Sequence, residues 1–172
     1  MRINERPRHD GPIMLVEYDP AWAGRFEREA RRIRAALGTR ALLLEHAGST
    51  SVPGLVAKPI IDIVLAVPDS TSEDDYVPAL EAEGYVLRIR EPDWYEHRLL
   101  GREDSEVNLH VFTDGCEEID RMLRFRDHLR DDAADRELYE RTKRELAART
   151  WAHVQDYADA KTEVVAAIMA RA

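Results

Sequence analysis

Ile60 to Val67 is almost continuously branched and apolar, the pattern of a strand buried on both faces, and Asp62 is the only polar side chain within it. Burying a carboxylate is costly unless it is paired, hydrogen-bonded or bound to a metal, so Asp62 needs a partner or a task. Upstream, Ile13 to Tyr18 reads as a short extended piece. Asp19-Pro20 then opens a helix, with the aspartate as N-cap and the proline at the first helical position. Trp22, Phe26, Ile33 and Leu37 recur at helical spacing on one face with arginines and glutamates opposite, which predicts a helix covering a sheet. Gly38 ends it, and Ala41 to His46 reads as a strand feeding the turn Gly48-Ser49-Thr50-Ser51. Beyond Pro68, Asp74 or Asp75 opens a short helix to Glu83 that Gly84 closes. Tyr85 to Arg90 and His97 to Arg102 read as strands, Glu106 to Phe112 alternates as another, and Thr113-Asp114-Gly115 turns at the end of the sheet. From Glu117 onward the pattern is helical throughout, with Phe125, Leu129, Leu138, Leu146, Trp151, Val154, Val165 and Ile168 as candidate core positions.

Strand, helix, several strands, then two or three helices predict an α+β or mixed α/β sheet with a covering N-terminal helix and a C-terminal helical layer. The 172 residues suit a mobile polar segment over 1–12 and one domain over 13–172, sheet-rich to 115 and helical from 116. Neither a repeat nor a low-complexity linker calls for a second unit. Cys116 is the only cysteine, which excludes an intramolecular disulfide and makes a reducing, cytoplasmic compartment the simplest expectation. No secretory apolar region opens the chain, and no apolar run approaches the ~20 residues that span a bilayer. A formal net charge of −9 argues against non-specific binding to nucleic acid or anionic membranes, so an anionic ligand needs a local positive site.

That requirement gives weight to the lysines. Of 25 basic residues all but Lys58, Lys143 and Lys161 are arginine, so these three mark places where a compact ammonium replaces a planar fork, unless they survive by compositional chance. Tyr139 and Lys143 are four apart, as are Tyr157 and Lys161, so each pair shares a helix face; a lysine stem packed along a tyrosine ring accounts for that spacing equally. Gly48-Ser49-Thr50-Ser51 offers backbone N–H groups and three hydroxyls to phosphate oxygens, and is also ordinary turn chemistry. It is not a P-loop, because Gly54 is followed by Leu55 rather than by lysine and a hydroxyl residue. Strand alternation puts Asp62 with Ile60, Val64 and Ala66, and His110 with Glu106, Asn108 and Phe112. If those strands are neighbours, Asp62 and His110 line one cleft and could hold a divalent cation or move a proton; otherwise Asp62 pairs with Lys58 or caps a turn and His110 is a satisfied core histidine. Phe125-Arg126-Asp127-His128-Leu129-Arg130 reads as a helix with an internal ion pair. His9, His97, His128 and His153 show no metal-ligand spacing, and with one cysteine no zinc site is expected.

Several of these segments together resemble the GrpB family, whose members are similar to the nucleotidyltransferase superfamily. The resemblance rests on Tyr18-Asp19-Pro20 with Trp22, on His46 to Leu55 continuing through Ala57 to Asp62, on Leu109-His110-Val111, on Phe125-Arg126-Asp127 with Leu129-Arg130, and on the two Tyr/Lys pairs. It implies a nucleotidyltransferase-like mixed sheet in which Gly48, Ser49, Thr50 and Ser51 hold the phosphates of a nucleoside triphosphate, Asp62 holds Mg²⁺ or Mn²⁺ with His110 as second ligand or general base, and Lys58, Lys143 and Lys161 offset phosphate charge. In that superfamily a second carboxylate stands two residues after the first; here the position is Val64, and Glu106, Glu45 or His110 would have to compensate. The alternative implied is a non-catalytic protein binding a nucleotide or another phosphorylated metabolite on the same fold. Relatives in which the domain is joined to a dephospho-coenzyme A kinase point to nucleotide metabolism.

Overall fold

The computed structural model describes Met1 and residues 11–172. Most of the segment expected to be mobile therefore lies outside the described residues; its last two, Gly11–Pro12 (β1), pair antiparallel with Thr150–Trp151 (β7) and tie the start of the chain to the helical layer. The main sheet has five strands, Leu43–Ala47 (β2), Ile61–Val67 (β3), Tyr85–Glu91 (β4), His97–Arg102 (β5) and Val107–Thr113 (β6), in the order β2-β3-β6-β5-β4. Only β3 and β6 run parallel; the other neighbours are antiparallel, so the sheet is mixed as the element order predicted. The described residues form six helices, Ala21–Leu37 (α1), Val77–Ala82 (α2), Glu117–Asp131 (α3), Ala133–Ala147 (α4), Val154–Ala160 (α5) and Thr162–Met169 (α6), so the C-terminal layer has four where two or three were expected.

The two faces of β3 explain its apolar run. Ile61, Ile63, Leu65 and Val67 pack under Trp22, Ala30, Ile33 and Leu37 of α1, while Val64 and Ala66 pack with Ala47, Phe112 and Ile119 beneath α3. Each such fully buried aliphatic or aromatic side chain contributes about 1.5–3 kcal/mol, which makes this central pair of strands the anchor of the fold. Helix α1 begins one residue later than predicted, at Ala21, and the Asp19 carboxylate accepts the Ala21 N–H at 2.8 Å. Proline at position 20 leaves no amide to satisfy there, so the cap works from one residue further back. Among the described residues no helix is long and apolar enough to cross a membrane.

The C-terminal region is not helical throughout, because β7 interrupts it to pair with β1. The two-residue ladder was beyond any periodicity signal. Helix α6 is clamped to α3 and α4 at one point: Arg171 donates to the Asp135 carboxylate (Nε to Oδ2, 3.0 Å), and His128 Nε2 lies 2.7 Å from Asp135 Oδ2. Arg171 first and His128 second hold the Asp135 carboxyl down at about 2. A carboxylate whose pKa is lowered on folding contributes stability above its ordinary value near 3.9, and that contribution is lost as pH falls toward 2. Asp135→Asn is therefore expected to be less stable at pH 7, with the two acid-unfolding curves converging as pH falls to about 2; melts that differ equally at both pH values would contradict the clamp.

Candidate functional site

Asp62 stands at the start of β3, opposite Ala47, the last residue of β2, and beside Asn108 on β6. Its position at the sheet's end turns the carboxylate toward a cavity instead of the core. Asn108 Nδ2 donates to Asp62 Oδ1 at 3.1 Å, and His110 Nε2 lies 3.3 Å from the same oxygen. Burial raises the Asp62 pKa, but the His110 and Asn108 contacts and the charge of Lys58 outweigh it, so the group is held below the usual carboxylate range. The carboxylate packs directly against Gly48, whose φ is +69°; a Cβ there would stand 2.5 Å from Asp62 Oδ2. Glycine at this position makes room for Asp62 rather than for a ligand.

A chain of contacts extends behind His110. Its Nδ1 lies 3.1 Å from His97 Nε2, and His97 Nδ1 lies 2.6 Å from Glu91 Oε2. Burial, then the neighbouring His110 and Arg98, push the His97 pKa down to about 3. A neutral His97 donates from Nδ1 to the Glu91 carboxylate and accepts at Nε2, so the Nδ1–H of His110 must be the donor between the rings. A neutral His110 then presents its Nε2 lone pair to a carboxylate oxygen. A proton or a divalent cation at Nε2 would satisfy both acceptors. Spacing gave His97 no metal-ligand partner and did not join it to Glu91; the two are register partners across the β4–β5 hairpin, which is the one signal that could have joined them.

The cavity facing Asp62 has a volume of about 230 Å³ and is walled by the Gly48–Thr50 turn, Lys58, Asn108, Arg126, and the two Tyr/Lys pairs. Lys58 comes from the loop before β3, Lys143 from α4 and Lys161 from the α5–α6 junction, so three remote segments deliver the chain's lysines to one place. Lys143, 2% exposed, donates to Ser49 Oγ at 2.8 Å and to the Val56 carbonyl at 2.5 Å. Lys161 lies 4.6 Å from the Tyr157 ring centroid and 6.0 Å from that of Tyr139, while Lys58 lies 5.5 Å from Tyr157. Cation–π contact with the rings is thus real, and it holds the ammonium groups at the wall instead of removing them from the site. Burial, followed by the charges of Lys161 and Lys58, drives the Lys143 pKa well below its ordinary value. Burial brings Lys161 down to about 8, with Asp62 pulling the other way. Burial raises the Tyr157 pKa too, and its buried hydroxyl has no partner among the described residues.

Not every residue expected at the phosphates faces this space. Ser51 Oγ donates to the Gly48 carbonyl at 2.5 Å and is not part of the cavity wall; it closes the Ser49–Ser51 turn. Thr50 reaches the wall, but its hydroxyl donates to the Ile60 carbonyl at 3.2 Å and lies 2.9 Å from His46 Nε2. Ser49 is the hydroxyl left at the lysines. His110 touches Asp62 without itself lining the cavity. Of the residues considered as compensation for Val64, Glu45 pairs with Arg126 at 2.9 Å and Glu106 is exposed, so His110 alone reaches Asp62. Val64 is fully buried beneath α3, which leaves one carboxylate and one imidazole, too few donors for a two-metal clamp. Helix α3 does contain the predicted ion pair, Arg126 Nε to Asp127 Oδ1 at 2.8 Å, but its arginines also hold the turn: Arg126 donates to the His46 carbonyl at 3.0 Å and Arg130 to that of Ser51 at 2.9 Å. A second cluster, His128, Asp132 and Asp135, is committed to structure, with Asp132 accepting the Asp135 N–H at the start of α4 and Asp135 clamping Arg171.

Comparison with known proteins gives a consistent picture. A family model described as GrpB protein matches residues 12–171. A UPF0157 protein of Halalkalibacterium halodurans is 59% identical, the match covering 99% of this chain and 87% of that protein, and one of Streptomyces coelicolor is 52% identical over 93% and 84%. The crystal structure of a conserved protein GrpB from Enterococcus faecalis superposes with a TM-score of 0.77 at 32% identity, covering 92% of this chain and 96% of that one. A dephospho-CoA kinase of Mycolicibacterium paratuberculosis is 40% identical over 77 residues, which is 43% of this chain and 19% of the kinase.

Proposed function

The chain belongs to the GrpB family, and from its cavity we propose that it binds the polyphosphate of a nucleoside triphosphate among Lys58, Lys143, Lys161 and Ser49, with a divalent cation on Asp62 and His110. The observation that carries this reading is the convergence of all the chain's lysines on one cavity in a protein of net charge −9. A volume of about 230 Å³ is below the ~300–1,000 Å³ of sites that enclose a drug-sized ligand, so the phosphates go inside and the nucleoside lies at the mouth. Lys161 and Lys58 would neutralise phosphate oxygens, Lys143 would orient Ser49, and the Arg126–Arg130 contacts would keep the turn in place. A bound Mg²⁺ or Mn²⁺ would supply charge at the phosphates next to Asp62.

Thermal melts with ATP test this: at ~100 times its dissociation constant a ligand stabilises the native state by about 2.7 kcal/mol. Because His110 would bring nitrogen and no charge, Mn²⁺ is expected to support ATP binding at least as well as Mg²⁺, and His110→Ala to remove that preference. A strict Mg²⁺ requirement unchanged in the variant would contradict the assignment of His110. A second reading, binding without turnover, is favoured by the burial of Val64 where a second carboxylate would be needed. Nucleotidyl transfer breaks the α–β phosphoanhydride and releases pyrophosphate, so pyrophosphate formation from ATP separates the two.

A further inference from the structure

A second cavity of about 230 Å³ opens on the other side of the sheet, beneath α1. Val107 lines it while Asn108, the next residue of β6, lines the first, so the two cavities lie back to back across one strand. Its wall carries four guanidinium groups, Arg25, Arg28 and Arg32 of α1 and Arg102 of β5, against two carboxylates. Both carboxylates are engaged. Asp104 accepts from Arg102 Nε at 2.8 Å, and Glu29, buried, takes the Tyr85 hydroxyl and lies 3.9 Å from Arg102 Nη1. Arg25, Arg28 and Arg32 recur at helical spacing on one face of α1, and among the described residues their side chains form no hydrogen bond or ion pair. Ser105 also lines this cavity, and its buried hydroxyl has no partner among the described residues.

Arg28 is exposed and Arg25 and Arg32 are half-buried, so water reaches all three, yet with Arg102 they set four positive charges against two carboxylates: the cavity lacks two counter-charges, and the Ser105 hydroxyl lacks an acceptor among the described residues. Both deficits are met by one tetrahedral oxyanion, which takes bidentate guanidinium contacts and accepts a hydroxyl proton at once. We infer that this cavity is a second anion site, which takes the phosphate group of a small molecule on the α1 face and does not depend on Asp62 or the lysines.

Calorimetric titration with inorganic phosphate tests it, using the full chain carrying Lys161→Met so that the lysine cavity is weakened. Phosphate is expected to bind this variant, and adding Arg28→Gln and Arg32→Gln should weaken that binding at least tenfold. The two arginines hold no described partner, so melts in phosphate-free buffer should coincide. Arg28→Lys with Arg32→Lys keeps the charge without the fork and is expected to fall between. Glycerol 3-phosphate binding more tightly than phosphate would assign an ester as the ligand, and weaker binding would assign the free ion. Phosphate affinity unaffected by the arginine substitutions, or absent once Lys161 is replaced, would overturn the inference.

Discussion

Lys161→Met is expected to raise the melting temperature of the ligand-free protein while weakening ATP binding about thirtyfold. The ammonium is confined with two others in one cavity, and burial brings its pKa down to about 8. The ordinary value is ~10.4, and about 1.4 kcal/mol per unit makes charging it in the native state cost on the order of 3 kcal/mol at neutral pH. Methionine fills the space without that cost. The sign follows from proton binding: between pH 8 and ~10.4 the unfolded chain holds the extra proton, so wild-type stability gains with rising pH through this window and the variant lacks the gain. The difference between the two melts should be largest at pH 7 and close by about pH 10. Loss of one charge-assisted contact to phosphate costs about 2 kcal/mol, hence the thirtyfold loss of affinity. A variant that is less stable than the wild type, or that binds ATP equally well, would remove Lys161 from the site.

Gly48→Ala is expected to lose about 3 kcal/mol or more in urea unfolding, against about 1–2 kcal/mol for Gly54→Ala. Both glycines have positive φ, +69° and +81°, so both substitutions carry backbone strain. They differ in what the new methyl meets. Nothing lies within 4 Å at Gly54, whereas at Gly48 the methyl would stand 2.5 Å from Asp62 Oδ2 and 3.0 Å from its Cβ. Relief would move the carboxylate away from Asn108 and His110. Repeating Gly48→Ala in an Asp62→Ala background should recover at least 1 kcal/mol of the loss. Equal losses at the two glycines would show that the close approach to Asp62 has no energetic weight.

Much of this arrangement is legible in the chain because strand periodicity is strict. Alternation along β3 and β6 put Asp62, Asn108 and His110 on one face, and the parallel register sets Asp62 against Asn108 and Val64 against His110. The scarcity of lysine pointed to three positions that the fold brings to one cavity. Polar residues that serve geometry were harder to read. Thr50 and Ser51 look the same in sequence as ligand-binding hydroxyls, and only their acceptors, the Ile60 and Gly48 carbonyls, show that they hold the turn. Glu91 and His97 depend on the register of a hairpin with an irregularity between Leu87 and Ile89. The arginines of α3 form a local pair, which hid their reach of some eighty residues back to the turn.

A polyphosphate in the cavity would face two ammonium groups, those of Lys143 and Lys161, whose pKa values are low in its absence. Anion binding restores those pKa values, so protons must be taken up from solution. Calorimetric titration of ATP with Mg²⁺ at pH 8, repeated in buffers of different ionisation enthalpy, measures that uptake directly. Net uptake is expected for the wild type and a smaller value for Lys161→Met; binding heats identical in every buffer, or no binding heat at all, would rule out a polyphosphate among these lysines.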